Sequence, residues 1–399
     1  MNILMIAPQP FFTYRGTPFS VYYRLLTLSE LGHKVDLVTY HLGEDIILDG
    51  LTIYRSWKFP FVKNIKIGPS FIKIFVNIPL FFKVLLILIK KRKEYKIIYV
   101  HEEAVMFGVL FKKLFKKKLI YDMHSSLPQQ FENFNFCNFR LIKSIFRWIE
   151  KKGISHSDFV ITICEDFDKK AKEYGCSNTE LIPNTRFDII SGIQFKKDVN
   201  KYSFVEQFLK KEKKEKKEKI IYYCGTFEDY QGIPMLLEAF KYVNKKVNNT
   251  KLLLIGGYNQ QVEKMKKYAE ELGISHLVLF TGMLDPNYVK KTLKRIDILT
   301  SPRDSGTNTP LKIYEYIASG IPIVATNIYS HTQLLNSDIA FLANPDHIDF
   351  ARAILECIQN DRVAQEKALN AKNLYAEKYG TEKYKQKLQK VIESVSVYS

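Results

Sequence analysis

Short apolar runs alternate with amphipathic stretches along nearly the whole chain. NILMIAP (2–8) is continuous and apolar, and residues 17–31 then place apolar side chains at helical spacing up to Gly32, a helix-ending residue. KVDLVTY (34–40), KIIYVH (96–101), KLIYDMH (118–124) and DFVITI (158–163) repeat the first kind of run, with helical stretches between them. The order restarts at KIIYYCG (219–225) and continues through KLLLIGG (251–257), LVLFTG (277–282), DILTSP (297–302) and IPIVAT (321–326). Strands alternating with helices predict an α/β chain with parallel, doubly wound sheets, whose ligands lie at the carboxyl ends of the strands. Between the two series, EQFLKKEKKEKKEK (206–219) is densely charged with almost no apolar face, and reads as a solvated connection. The expected boundaries are a first domain over 1–195, a charged connection over 196–218 and a second domain over 219–380. Long amphipathic helices fill the chain from about 349 to 395.

One stretch carries more than fold information. SPRDSGTNTPLKIYEYIASGIPIVAT (301–326) reads as loop, helix and buried strand. Ser305 and Gly306 lie in the loop, Thr309 is placed to cap the helix and Pro310 to occupy its first position. Gly320 and Pro322 end it. A Gly/Ser/Thr loop entering a helix N-terminus offers free backbone N–H groups and a positive dipole end, which suit a phosphate or diphosphate. Leu311, Glu315 and Ala318 share one helical face, so a carboxylate stands one turn beyond the anion position, about where a ribose follows its diphosphate.

Composition narrows the class. A chain of 399 residues with 46% hydrophobic side chains is globular and long enough for two full cores. Its five cysteines are scattered, with no paired spacing for zinc or a disulfide framework. The N-terminal MNILMIAPQP lacks the basic-then-apolar plan of a signal peptide, which points to a cytoplasmic location. The net charge of +18 is uneven: residues 51–118 hold 16 Lys and Arg against three acids. Within them, FIKIFVNIPLFFKVLLILIKKRK (71–93) is nearly long enough to span a bilayer, but Lys73, Asn77, Pro79 and Lys83 interrupt it. Each charge at a bilayer centre costs about 3 kcal/mol. The segment therefore reads as an interfacial helix with a basic end, Lys90 to Lys93, helped by Lys112, Lys113 and Lys116 to Lys118 on an anionic membrane. A nucleic-acid partner is not expected, because the cations lie beside aliphatic rather than stacking aromatic residues.

The stretch 301–326 resembles the nucleotide-sugar site of retaining glycosyltransferases of family 4, which have the GT-B architecture. The likeness runs over nearly the whole chain and is strongest in 219–345. It implies two Rossmann-like domains facing a central cleft, with the last helix (381–399) crossing back to the first domain. In that family the second Glu of an E-x7-E motif holds the donor ribose; Glu315 matches it, while Thr307 stands in place of the first Glu. The donor diphosphate would lie on Gly306, Thr307, Asn308, Thr309, Pro310 and Leu311, beside Gly225 and Gly16. The family's usual cations near Gly225 are replaced by Thr226 and Gln231, which leaves Arg303 and Lys312 as candidates to balance the leaving diphosphate. Gly282 and Met283 match the place where the base is read through the backbone.

His124 matches the family histidine that approaches the donor sugar and acceptor, with Asp122 to orient it or to bind an acceptor hydroxyl. Glu102 and Glu103, after another strand end, are acceptor candidates, and His331 and Thr332 are expected to face the cleft. The resemblance implies no metal and no cofactor. The reaction expected is transfer of a sugar from a nucleotide-diphosphate sugar, with retention, to a lipid-linked or glycan hydroxyl, in cell-surface polysaccharide or glycolipid synthesis at the inner face of the membrane. A sugar-nucleotide epimerase shares the architecture, but the membrane-like helix argues against an enzyme with only soluble substrates.

Overall fold

The structure, a computed structural model, describes residues 1–13, 16–58, 62, 65, 71–128, 140–187, 199–210, 218–306 and 309–396. Among the described residues the chain divides into two compact units, one running from Met1 to Arg186 and joined by the last segment from Thr381, the other taking Phe187 and the segment that ends at Gly380.

The first unit is built on seven strands: β1 (Asn2–Ala7), β2 (Lys34–Thr39), β3 (Leu51–Arg55), β4 (Ile97–His101), β5 (Lys118–Met123), β6 (Phe159–Thr162) and β7 (Thr179–Leu181). They run in the order β3-β2-β1-β4-β5-β6-β7, and every pair is parallel. Its helices are α1 (Gly16–Glu30), α2 (Phe71–Lys91), α3 (Val105–Phe115), α4 (Arg140–His156) and α5 (Glu165–Glu173). Leu4, Ile6, Ile98, Val100, Leu119, Tyr121 and Val160 turn one sheet face toward Val76, Leu80, Val84 and Leu88 of α2 and Phe111 of α3. The period of two along each strand produces that single face.

The second unit has six strands: β8 (Lys219–Cys224), β9 (Thr250–Ile255), β10 (Val278–Phe280), β11 (Ile298–Ser301), β12 (Ile323–Thr326) and β13 (Phe341–Ala343). Their order is β10-β9-β8-β11-β12-β13, again parallel throughout. Helices α6 (Val199–Phe208), α7 (Ile233–Lys246), α8 (Asn259–Glu271), α9 (Pro286–Thr292), α10 (Leu311–Ser319), the short α11 (Tyr329–Thr332), α12 (His347–Gln359) and α13 (Asp361–Lys378) surround it. Ile221, Tyr223, Leu252 and Leu254 pack with α7 and α12 on one face. Ile220, Tyr222, Leu253 and Leu299 pack with α6, α10 and α13 on the other.

The last helix, α14 (Thr381–Ser396), belongs to the first unit. It buries Tyr384, Leu388, Val391, Ile392 and Val395. Lys387 donates to the Leu181 carbonyl at 2.8 Å, and Lys390 pairs with Glu180 at 2.8 Å.

Three details differ from the sequence reading. Strands β3, β7 and β13 are additional; all three are short and stand at sheet edges, β3 and β7 being partly exposed and β13 a mostly buried strand of three residues. The helix at 301–326 begins at Leu311 with Pro310 as its N-cap and no side-chain cap bond, so Thr309 is not the cap. The stretch 196–218, expected as a charged connection, contains α6; its Val205, and Leu209 just beyond it, are buried in the second unit's core, with Phe208 packed against them.

Candidate functional site

In each sheet the strand order reverses at the centre, between β1 and β4 in the first and between β8 and β11 in the second. Ligands of open α/β sheets bind beyond the carboxyl ends of strands at such points. The sequence-derived residues gather there, in one group per unit.

In the second unit, β8 ends at Cys224 and leads into Gly225, Thr226 and a one-turn helix over Asp229–Gln231. Gly232 follows with φ +69°, and a Cβ on it would lie 2.1 Å from the Pro302 carbonyl oxygen, so only glycine lets this turn close on the loop after β11. That loop carries Arg303, whose guanidinium lies 5.1 Å from the Tyr230 ring centre and donates through Nε to the Ser305 carbonyl at 2.5 Å. Gly306, at φ +122°, leaves space that a Cβ would take within 2.0 Å of Arg303 Nη2.

Lys312, in the first turn of α10, extends to the other loop. Its Nζ donates to Gln231 Oε1 at 3.1 Å and lies 3.9 Å from the Tyr223 ring centre. Tyr223 Oη donates to the Thr226 carbonyl at 2.6 Å and lies 3.2 Å from Gln231 Oε1. Burial pulls the Lys312 amine down to about 7. One helical turn on, Glu315 is half-buried; burial raises its pKa, and Lys290 acts against that rise. Its carboxylate accepts no hydrogen bond among the described residues. The N-terminus of α10, without a side-chain cap, leaves its first N–H groups for a ligand. Thr309, Pro310 and Leu311 line that end, whereas Thr307 and Asn308 lie outside the described residues. Further along the sheet, the Gly282 carbonyl accepts from Gly256 N at 2.8 Å, and Met283 is exposed beside it.

His331 does not face solvent. It is fully buried; its Nε2 lies 2.9 Å from Ser301 Oγ, and its Nδ1 lies 2.9 Å from the Thr326 carbonyl. Burial pulls it down to about 4, so it is neutral, with Nδ1–H donating to Thr326 and Nε2 accepting from Ser301. It ties the ends of β11 and β12 together; Thr332 is exposed.

In the first unit, Asp122 near the end of β5 is fully buried. Arg24 Nε donates to its Oδ2 at 2.8 Å and Tyr99 Oη donates to the same oxygen at 2.6 Å. His124 Nε2 lies 3.1 Å from Oδ1, and Asn184 Nδ2 lies 3.3 Å from His124 Nδ1. Burial opposes the Asp122 charge, but Arg24 and His124 outweigh it and hold the carboxyl well below its ordinary range. Asp122 is thus an orienting group for His124 and is not open to an acceptor. His101, the register partner of Asp122 on β4, lies tilted against His124 with ring centres 5.3 Å apart. It is fully buried, and burial lowers it to about 3.

The two acceptor candidates separate. Glu102, at φ 50°, accepts a hydrogen bond from Ser125, and burial raises it to about 7. Glu103 turns toward α2, where Lys73 stands 3.9 Å away. Gly16 opens α1. His101, Asp122 and His124 bring ligand atoms within 4.8 Å of one another, as a metal would require. However, the Arg24 guanidinium already occupies the carboxylate, and its fixed charge opposes a divalent ion.

The sequence reading missed Arg24, Tyr99, His101 and Asn184. His101 carried a signal, a histidine at a strand end one strand from Asp122. Arg24 carried another, a cation among the apolar positions of α1.

Two family models match this chain: "Glycosyltransferase Family 4" over residues 14–185 and "Glycosyl transferases group 1" over 204–374. The chitobiosyldiphosphodolichol beta-mannosyltransferase of Kluyveromyces lactis is 22% identical over 400 residues, covering 90% of this chain and 87% of that protein. Sucrose-phosphate synthase from Thermosynechococcus elongatus superposes with a TM-score of 0.74 at 15% identity, covering 100% of both chains. Anabaena HepE, solved in complex with UDP, gives 0.71 at 14% identity, over 99% of this chain and 100% of that one. Together with the two parallel sheets, these matches establish that the chain belongs to the GT-B glycosyltransferases of family 4.

Proposed function

We propose that this glycosyltransferase moves a sugar, with retention, from a nucleotide-diphosphate sugar to a hydroxyl of a lipid-linked or glycan acceptor, in cell-surface polysaccharide or glycolipid synthesis. The observation that carries the reading is the group at the ends of β8 and β11: an uncapped helix N-terminus, two cations within reach of it, and Glu315 one turn beyond. A diphosphate fits the first two elements and a ribose the third. The complex of HepE with UDP and the dolichol-linked substrate named for the yeast relative support the two substrate classes. Catalysis then rests on positioning and on stabilising the leaving diphosphate. Arg303, Lys312 and the α10 dipole supply the positive charge, so activity persists in EDTA. A thermal-shift panel of UDP-, GDP- and ADP-sugars tests the reading, because a true donor raises the melting temperature by mass action. No shift with any of them removes it.

Membrane contact is the second part of the proposal, and the first unit's surface supports it. Within Ile72–Lys91 of α2 an 18-residue window has a mean hydropathy of 2.3, yet only 28% of that window is buried. Ile74, Phe75, Ile78, Phe82 and Ile89 are exposed on it. Phe81 stacks on Phe111 of α3 at 5.0 Å, and Gly153 of α4 lies against Val105 of α3, so the three helices adjoin. Their exposed Leu110, Leu114 and Trp148 extend the apolar face. An exposed patch of this kind needs an apolar partner. Lys90, Arg92, Lys93, Lys113 and Lys116 are exposed near it and suit an anionic bilayer at the inner face of the cell membrane.

A further inference from the structure

Lys312 is an unusual cation. Among the described residues it is anchored by neutral groups, the Gln231 amide oxygen and the Tyr223 ring. No carboxylate pairs with it among the described residues. Its Nζ lies 3.0 Å from where a Cβ of Gly225 would be, so the amine stands against bare backbone at the end of β8. The chain thus brings an ammonium from α10 across to the β8 turn, where Gln231 and Thr226 offer none. A partly buried amine without a counter-ion is costly, and a ligand that supplies the anion relieves that cost.

We propose that Lys312 and Gln231 are a transposed pair: Lys312 reaches from α10 to the position a cation at 231 would fill, receives the distal phosphate of the donor's diphosphate, and takes up a proton as the donor binds. The proposal rests on the nucleotide-sugar reading of this site and deepens it.

The surroundings determine the proton's direction. Tyr223 and Cys224 from β8 face the amine, and burial keeps both neutral by raising them. Gln231 accepts from it in the turn. Arg303, from the loop after β11, is a like charge that disfavours the ammonium. His331 of α11 is neutral, and Glu315 on α10 has Lys290 as its charged neighbour. With the amine near 7 in the free protein, part of the population is uncharged at neutral pH. A diphosphate adds negative charge beside it and favours the ammonium. Binding therefore draws a proton from solution, and affinity falls as pH rises above 7.

Titration calorimetry of UDP, GDP, ADP and their monophosphates in buffers of different ionisation enthalpy tests this. For whichever diphosphate binds, Lys312→Gln is expected to weaken binding by about tenfold or more, and monophosphate binding by less than threefold. The double exchange Gln231→Lys with Lys312→Gln is expected to recover most of the loss. Wild type takes up part of a proton at pH 7.5. Lys312→Arg, whose guanidinium stays charged, takes up none, and its affinity is level from pH 7 to 9. Equal losses for mono- and diphosphates, or no recovery in the exchange, overturn the transposed pair. Proton uptake in Lys312→Arg equal to that of wild type overturns the assignment of the proton. If wild type binds none of the diphosphates, the nucleotide-sugar reading itself fails, and this inference with it.

Discussion

Glu315 is legible from sequence to structure. Helical spacing placed it one turn past an anion-binding end, and α10 puts a half-buried carboxylate there without a hydrogen-bonding partner among the described residues. Glu315→Gln should weaken binding of the active nucleotide sugar by about 1–3 kcal/mol, the range for a hydrogen bond to a charged group. Donor titration checks it, and unchanged affinity would remove Glu315 from the site. Glu102 makes a different, pH-linked prediction. Its folded-state pKa is raised to about 7 by burial, so its contribution is fully present below the unfolded value near 4.5 and is lost as pH rises through 7. Denaturant midpoints for wild type should therefore drop over that window, by on the order of 2 kcal/mol in stability. Glu102→Gln should flatten the drop; an unaltered pH profile would show that Glu102 is not buried in its neutral form. Asp122 was less legible. A strand-end carboxylate reads equally well as ligand or as support, and only the Arg24 guanidinium, 98 residues away, decides for support.

Among the elements, α2 is a continuous helix, as its sequence suggested. Its interrupting Lys73, Asn77 and Pro79 do not end the helix: Asn77 accepts from Tyr40 Oη at 2.7 Å, and Lys73 approaches Glu103. The basic end was only partly readable. Lys91 pairs with Asp36 and Tyr54, and Lys112 and Lys118 with Asp158, so these cations are structural. The lysines left facing water are the ones to test. Replacing Lys90, Arg92 and Lys93 together with Gln should weaken binding to anionic vesicles by up to about 1 kcal/mol per charge at low salt, with donor binding unchanged. Salt should weaken wild-type binding in the same assay. Co-sedimentation measures it; a wild-type protein that ignores anionic vesicles at low salt would leave the apolar face to a protein partner.

At the scale of the whole chain, α14 makes the first unit depend on residues nearly 200 positions beyond its main segment. The five apolar or aromatic side chains it buries are each worth about 1.5–3 kcal/mol, against a typical domain stability of about 5–15 kcal/mol. Tyr384 also lies over the Arg24 guanidinium, 4.8 Å from ring centre to Cζ, on the side chain that holds Asp122. A chain ending at Gly380 should lose cooperative unfolding of the first unit while the second still melts. Two-transition calorimetry reads this, and a melt like that of the full chain would show that α14 contributes little.

The sequence by itself determined the alternation of strands and helices, the two series of parallel strands, the phosphate-suited loop and helix at 301–326, and the apolar, basic helix after residue 71. These are local properties: backbone preference, side-chain periodicity and turn chemistry act over a few residues, so a single chain displays them. Edge strands β3 and β7 escaped because a short, half-exposed strand has no apolar run to display, and β13, apolar and mostly buried, because three residues are too few to set a period. Tertiary structure alone decided which distant groups meet. It placed Lys312 on Gln231, 81 residues earlier, turned His331 inward onto Ser301, and set His101 beside Asp122. Strand order makes those encounters, and strand order follows from how whole faces bury against one another, a condition that no short stretch of sequence carries.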